Sequence, residues 1–185
     1  MKKIAILASG SGSNAENIIR FFSQHPAIRI DSVWTNNPDA YVLKRAERLQ
    51  VESHVFSRED MASSDVLLNK FRERKIDLIV LAGFLLLLPL KFVREFKVVN
   101  IHPALLPAYG GKGMYGDRVH RAVIANGEKE SGITIHLVDE VYDHGETLFQ
   151  AKCAVEAEDT PDTLAAKIHL LEMEHFPGVI EALLT

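Results

Sequence analysis

Residues 4–8 (Ile-Ala-Ile-Leu-Ala) and residues 78–82 (Leu-Ile-Val-Leu-Ala) are apolar without a break. Short runs of this kind, bounded by turn residues, predict strands buried on both faces, as at the centre of a parallel sheet. Further strands are predicted over residues 28–34, 53–56 and 98–102. Helical spacing falls between them, over residues 15–23, 41–49, 66–74 and 89–96. Beyond residue 103 the pattern changes. Residues 103–117 hold four glycines and two prolines and predict a loop, followed by a helix over 118–126 that Gly127 ends. Residues 132–138 and 147–155 alternate apolar with polar and predict antiparallel strands. Asp159-Thr160-Pro161-Asp162 is a helix start, a capping side chain followed by proline in the first turn. The last helix should reach about residue 184, bent near Pro177. Strands alternating with helices predict a doubly wound α/β fold, a mostly parallel sheet with an antiparallel C-terminal extension.

Length and composition narrow this picture. The 185 residues suit one domain, residues 1–185, and 47% hydrophobic content is enough for a sizeable core. A net charge of -4 offers no general field for nucleic acid. The apolar stretch 78–90 is broken by Gly83 and Pro89, and a membrane span needs roughly 20 residues. The apolar run after Met1-Lys2-Lys3 is too short for a signal-peptide core. Cys153, the only cysteine, cannot form an internal disulfide, so a cytoplasmic protein is expected.

Candidate chemistry sits at the end of the predicted strand 98–102. Asn100 and His102 are two residues apart, so on a strand they share a face, and Pro103 stops the strand behind them. An amide can hydrogen-bond an oxyanion, and an imidazole beside it can move a proton or carry charge. Asp143, if it folds back onto His102, would fix the tautomer and raise the imidazole pKa. The ends of strands are where open α/β sheets bind ligands. Residues 9–14 (Ser-Gly-Ser-Gly-Ser-Asn) form a glycine-rich turn before the first helix. It reads either as a phosphate cradle of backbone N–H groups or as a tight turn capped by Ser13 or Asn14. His120, His136 and His144 raise the possibility of zinc, but neither Cys-x-x-Cys nor His-Glu-x-x-His occurs, so no metal is expected.

Asn100-x-His102-Pro103-x-Leu105-Leu106-Pro107, followed by Asp143-x-Gly145, resembles the folate-dependent formyltransferase superfamily, and the likeness runs over essentially the whole chain. It implies the formyltransferase fold, Asn100, His102 and Asp143 as a catalytic trio, and 10-formyltetrahydrofolate as cosubstrate. The branch it is most similar to formylates glycinamide ribonucleotide in purine biosynthesis. Gly12, Ser13 and Asn14 then match a segment that holds the substrate phosphate. Glu172 matches a glutamate on the ribosyl side, with Glu174 its near rival. Leu85, Leu86, Leu87 and Leu88 match a loop lining the pterin pocket, Asn100 borders the folate as well, and Arg58 matches an arginine near it. His136 matches a residue supporting the aspartate. Loop 109–116 resembles a mobile loop beside the site, with Lys112 a candidate to neutralise anionic ligand groups. His144 departs from the family pattern, where a small residue is usual, and Leu86 stands where relatives can carry Arg or another polar residue.

The mechanism implied is direct attack of the amine on the formyl carbon. Asn100 and a protonated His102 would stabilise the oxyanion, and Asp143 would hold His102 charged and relay the proton. Expected partners are the two small molecules, with no nucleic acid or membrane, in a monomer or homodimer. Two other readings stay open, a hydrolase that deformylates the folate and a non-catalytic nucleotide-binding domain.

Overall fold

The computed structural model describes residues 1–185. Its elements in chain order are β1 (Lys2–Leu7), α1 (Ser13–Phe22), β2 (Ile28–Thr35), α2 (Val42–Arg48), β3 (Ser53–Val55), α3 (Arg58–Ala62), α4 (Val66–Arg74), β4 (Leu78–Leu81), α5 (Leu90–Glu95), β5 (Lys97–His102), α6 (Asp117–Ala125), β6 (Glu130–Leu137), β7 (Thr147–Ala154) and α7 (Pro161–Leu184). The strands follow the order β3-β2-β1-β4-β5-β6-β7 in one sheet. β1 pairs in parallel with β2 and β4, and β2 with β3, whereas β6 and β7 are antiparallel. This is the α/β architecture that the run lengths predict. The chain divides into two compact units, residues 1–99 with 183–185, and residues 100–182.

In the first unit β1 is buried from Ile4 to Leu7, and all four residues of β4 are buried. α1 buries Ala15, Ile18, Ile19 and Phe22, the i, i+3, i+4, i+7 stripe of an amphipathic helix. Trp34, Phe71 and Phe92 are buried, and Phe71 stands edge-on to both neighbours at centroid distances of 5.1 and 5.9 Å. Each such pair contributes about 0.5–1.5 kcal/mol beyond its area. The buried Trp34 N–H donates to Ser32 Oγ at 2.8 Å and is satisfied. The short helix α3 was not anticipated from the pattern. It rests on a capping box, in which Ser57 Oγ accepts from Asp60 N at 3.0 Å and Ser57 N donates to Asp60 Oδ2 at 2.8 Å.

In the second unit β6 is buried from Ser131 to His136, while β7 alternates and turns Gln150 and Lys152 outward, as suits an edge strand. Gly132 lets the two strands approach, since a Cβ there would stand 2.0 Å from the Ala151 carbonyl oxygen. α7 starts at Pro161 behind a reciprocal pair. Thr163 N donates to Thr160 Oγ1 at 3.2 Å, and Thr160 N to Thr163 Oγ1 at 2.9 Å. The helix continues through Pro177, which is buried within it. No helix is long and apolar enough to cross a membrane.

Candidate functional site

β5 delivers Asn100 and His102 to the start of the 103–116 loop. His102 is only 3% exposed and Asn100 is half-buried. Thr134 of β6 braces the chain just after them. Its hydroxyl donates to Ala104 O at 2.7 Å and accepts from Leu106 N at 2.9 Å and from Gln150 Nε2 at 2.8 Å. A buried hydroxyl with all its bonding capacity used fixes this backbone firmly.

Asp143 does fold back onto His102. Its Oδ2 lies 3.5 Å from His102 Nδ1 and accepts from Gly111 N at 2.9 Å, and its Oδ1 lies 3.7 Å from His136 Nε2. The residue has φ of 53°, a left-handed conformation that aspartate tolerates better than most side chains. Gly145, two residues on, is required by space, because a Cβ there would meet Leu137 O at 1.8 Å.

The histidine tautomers follow from their partners. His102 Nε2 lies 2.8 Å from Tyr109 O. A carbonyl only accepts, so Nε2 carries the proton and Nδ1 faces the carboxylate. His136 Nδ1 lies 2.9 Å from Leu137 O and must likewise donate, leaving its Nε2 to accept from Asn100 Nδ2 at 3.2 Å. His136 therefore turns the amide donor end of Asn100 toward itself, and the second N–H of that amide remains for another acceptor.

The expected rise in the His102 pKa does not occur. Burial pushes it below the ordinary histidine value and outweighs the upward pull of Asp143 and of the Tyr109 carbonyl. The resting imidazole is thus neutral at neutral pH. For Asp143 burial acts upward, but the His136 and His102 rings beside it and the Gly111 N–H together hold the carboxyl below its usual range. A neutral base beside an ionised carboxylate can accept a proton and be stabilised once charged.

The remaining candidates divide between the units. In the second, Glu172 Oε2 lies 3.2 Å from His169 Nδ1, with its side chain 14% exposed, whereas Glu174 is 70% exposed. His120 is buried on α6, and burial holds its pKa down against the upward pull of Glu172 and Asp117. His144 pairs with Asp139 at 2.8 Å, and Lys112 is exposed. In the first unit Gly12 is the N-cap of α1 at φ of 74°, and Ser13 and Asn14 form its first turn, so neither is the cap. Leu88 is core and Leu86 half-buried, while Leu85 and Leu87 are exposed. This loop begins against the glycine-rich turn, as Leu85 N donates to Ser9 Oγ at 3.1 Å and Ser9 N to Gly83 O at 3.0 Å. Arg58 is the exposed first residue of α3. No group of three or more His, Cys, Asp or Glu side chains is arranged to hold a metal ion.

Sequence reasoning missed the Tyr109 carbonyl, a backbone group that no side-chain pattern reveals. Tyr109 has φ of 56°, and its hydroxyl donates to Glu128 Oε1 at 2.6 Å and accepts from Asn126 Nδ2 at 2.9 Å. Thr134 was also missed, although a threonine between apolar residues of a strand is a detectable oddity.

The family described as Formyl transferase matches residues 2–180. The chain is 40% identical over 183 residues to the chloroplastic phosphoribosylglycinamide formyltransferase of Arabidopsis thaliana, covering 94% of this chain and 62% of that protein. It thus spans about three fifths of that relative's length. It is 38% identical to the Haemophilus influenzae phosphoribosylglycinamide formyltransferase, over 98% of this chain and 86% of the relative. The crystal structure of glycinamide ribonucleotide transformylase 1 from Geobacillus kaustophilus superimposes with a TM-score of 0.90 at 33% identity, over all of both chains.

Proposed function

The chain belongs to the formyl transferase family, and from that premise we propose that it moves the formyl group of 10-formyltetrahydrofolate to the primary amine of glycinamide ribonucleotide, a step of purine biosynthesis. Residues 1–185 act as one catalytic domain in the cytoplasm, as a monomer or homodimer, on these two small molecules. The observation that carries the reading is the Asn100–His102–Asp143 cluster, with Asp143 Oδ2 3.5 Å from His102 Nδ1, in a chain alike over its full length to enzymes named for this reaction.

The amine nitrogen attacks the formyl carbon, a C–N bond forms, and the carbonyl π pair moves onto oxygen. The free N–H of the Asn100 amide stabilises that oxyanion. His102, neutral at rest, accepts the proton that the attacking nitrogen loses, and the resulting imidazolium is stabilised by Asp143 beside it. The proton then passes to the leaving folate nitrogen, directly or through water, as the oxyanion collapses and the old C–N bond breaks. The products are the formamide and tetrahydrofolate. For His102 Nε2 to accept that proton, its bond to the Tyr109 carbonyl has to open and its own proton has to move to Nδ1, beside Asp143, so the loop beyond Pro107 moves in the cycle. Burial tunes His102 downward, toward a base that is unprotonated at working pH.

The exposed Leu85 and Leu87, next to half-buried Leu86 and core Leu88, suit one flat face of a pterin. We assign Gly12, Ser13 and Asn14 to the phosphate and Glu172, the more buried of the two glutamates, to the ribosyl group, with Arg58 on the folate side. His136 positions Asn100. The test is product identity with an isotopically labelled formyl donor. The label is expected on the acceptor amine. Label appearing as free formate, with the acceptor unmodified, would make the chain a deformylating hydrolase instead.

A further inference from the structure

The glycine-rich turn is held from one side by α2. Val42 N donates to Gly10 O at 3.2 Å, and Arg45 Nε donates to Ser11 O at 2.8 Å. Gly12 packs so closely on Val42 that a Cβ would lie 2.4 Å from its Cγ2. A peptide unit is planar and trans, so its N–H points opposite to its C=O. With the Gly10 and Ser11 carbonyls drawn toward α2, the Ser11 and Gly12 N–H groups face away from it. The Gly12 carbonyl is taken by Glu16 N at 2.9 Å as the first helical bond, which aims the Ser13 N–H out of the helix end. Successive N–H groups presented this way form an anion-binding nest, and the helix dipole adds to it.

Arg45 reaches further than the turn. Its Nη1 bonds Glu16 Oε2 in the first turn of α1, so one guanidinium ties the turn, α1 and α2 together. Glu16 also accepts from Arg20 and, through both carboxylate oxygens at 2.8 Å, from Arg48. Hydrogen bonds from Arg20 and Arg45, the largest influences on it, and the charge of Arg48 hold its carboxyl down at about 2. Glu16 therefore stays an anion under all working conditions, and the cluster keeps a surplus of positive charge beside the turn. A planar fork with fixed donors is what such a two-point brace needs; a lysine offers a single point charge.

We propose that Arg45 is a positioning residue for the acceptor phosphate. By holding the Ser11 carbonyl it keeps the turn's N–H groups aimed at the anion, without touching the reacting atoms. The inference rests on the assignment of this turn to the phosphate. Nothing in the motif that identifies the chemistry points to Arg45.

The experiment compares wild type with R45M, R45K and R48M. It measures the acceptor KM, kcat, and competitive inhibition against the acceptor by ribose 5-phosphate and by ribose. Wild type should be inhibited by ribose 5-phosphate and far less by ribose. R45M should raise both the acceptor KM and the ribose 5-phosphate inhibition constant about tenfold, the scale of one charge-assisted hydrogen bond, with a much smaller change in kcat. R48M removes the same charge without any contact to the turn, and should change either constant by less than about threefold. Should R45M not fold, R45K carries the test with an expected rise of several-fold. An R48M effect equal to that of R45M would reduce the role to bulk charge and overturn the proposal. Wild-type constants in R45M, or in R45K where only that variant folds, would do the same while leaving the phosphate assignment intact. Wild-type enzyme indifferent to ribose 5-phosphate would instead remove the phosphate assignment and this inference with it.

Discussion

At the scale of single residues, the site depends on which nitrogen carries which proton. Asn100 supplies a neutral donor whose orientation His136 sets through a 3.2 Å bond. Replacing Asn100 with alanine should lower kcat by about 100-fold or more, the usual cost of one oxyanion donor, while the fold survives. Turnover within a few-fold of wild type would remove it from the oxyanion site. Asp143 stabilises the charged form of His102 by its own charge, against the downward push of burial. In Asp143→Asn that upward pull is gone. The His102 pKa, followed by NMR, should fall further, the acid limb of kcat/KM should move to lower pH, and kcat should fall steeply. Asparagine also tolerates the left-handed backbone, so the change tests the charge rather than the turn. An upward shift of the imidazole pKa would contradict the electrostatics described here.

At the scale of elements, two glycines hold the backbones that carry this chemistry. A side chain at Gly145 would run into Leu137 O and come within 3.3 Å of Asp139 N, both backbone atoms that cannot yield cheaply. Gly145→Ala should therefore displace the segment holding Asp143, losing activity and about 1–3 kcal/mol of stability. Thermal melting and turnover of the variant together check this, and an unchanged melting point would mean the turn is looser than described. The long elements were legible in the sequence because burial on both faces writes itself as unbroken apolar runs, as in β1 and β4. α3 was not, since five residues carry too little periodicity and its capping box uses Asp60 where glutamate or glutamine is usual. The pairing of Asn100 with His102 was legible from strand period alone. That Asp143 meets them came from family likeness, because a separation of some forty residues gives no geometry. The fall in the His102 pKa was not legible, since burial depends on the packing around β5 and on loop residues that no local pattern places.

At the scale of the whole molecule, half-buried His54, buried His102 and His120, and the paired carboxylates set how stability answers to acid. His54, His102 and His120 have folded-state pKa values below the ordinary 6.5, so the unfolded chain takes up protons first. Their contribution is fully present above about 6.5 and is lost as pH falls through the window beneath it. Asp31 and Asp143 also have lowered values, against 3.8 when unperturbed, and their contribution persists above that value and is lost below it. Melting temperature should therefore decline in two stages, first below pH 6.5 and again below about pH 4. A single decline confined to the carboxylate range would show that the histidines are not buried neutral.

The most direct measurement of the central claim follows release of tetrahydrofolate by absorbance, with 10-formyltetrahydrofolate supplied in the presence and absence of glycinamide ribonucleotide, for wild type and for His102→Ala. The account predicts release that requires the ribonucleotide in wild type and is reduced by orders of magnitude in the variant. Release independent of the ribonucleotide, or a His102→Ala variant turning over at the wild-type rate, would contradict it.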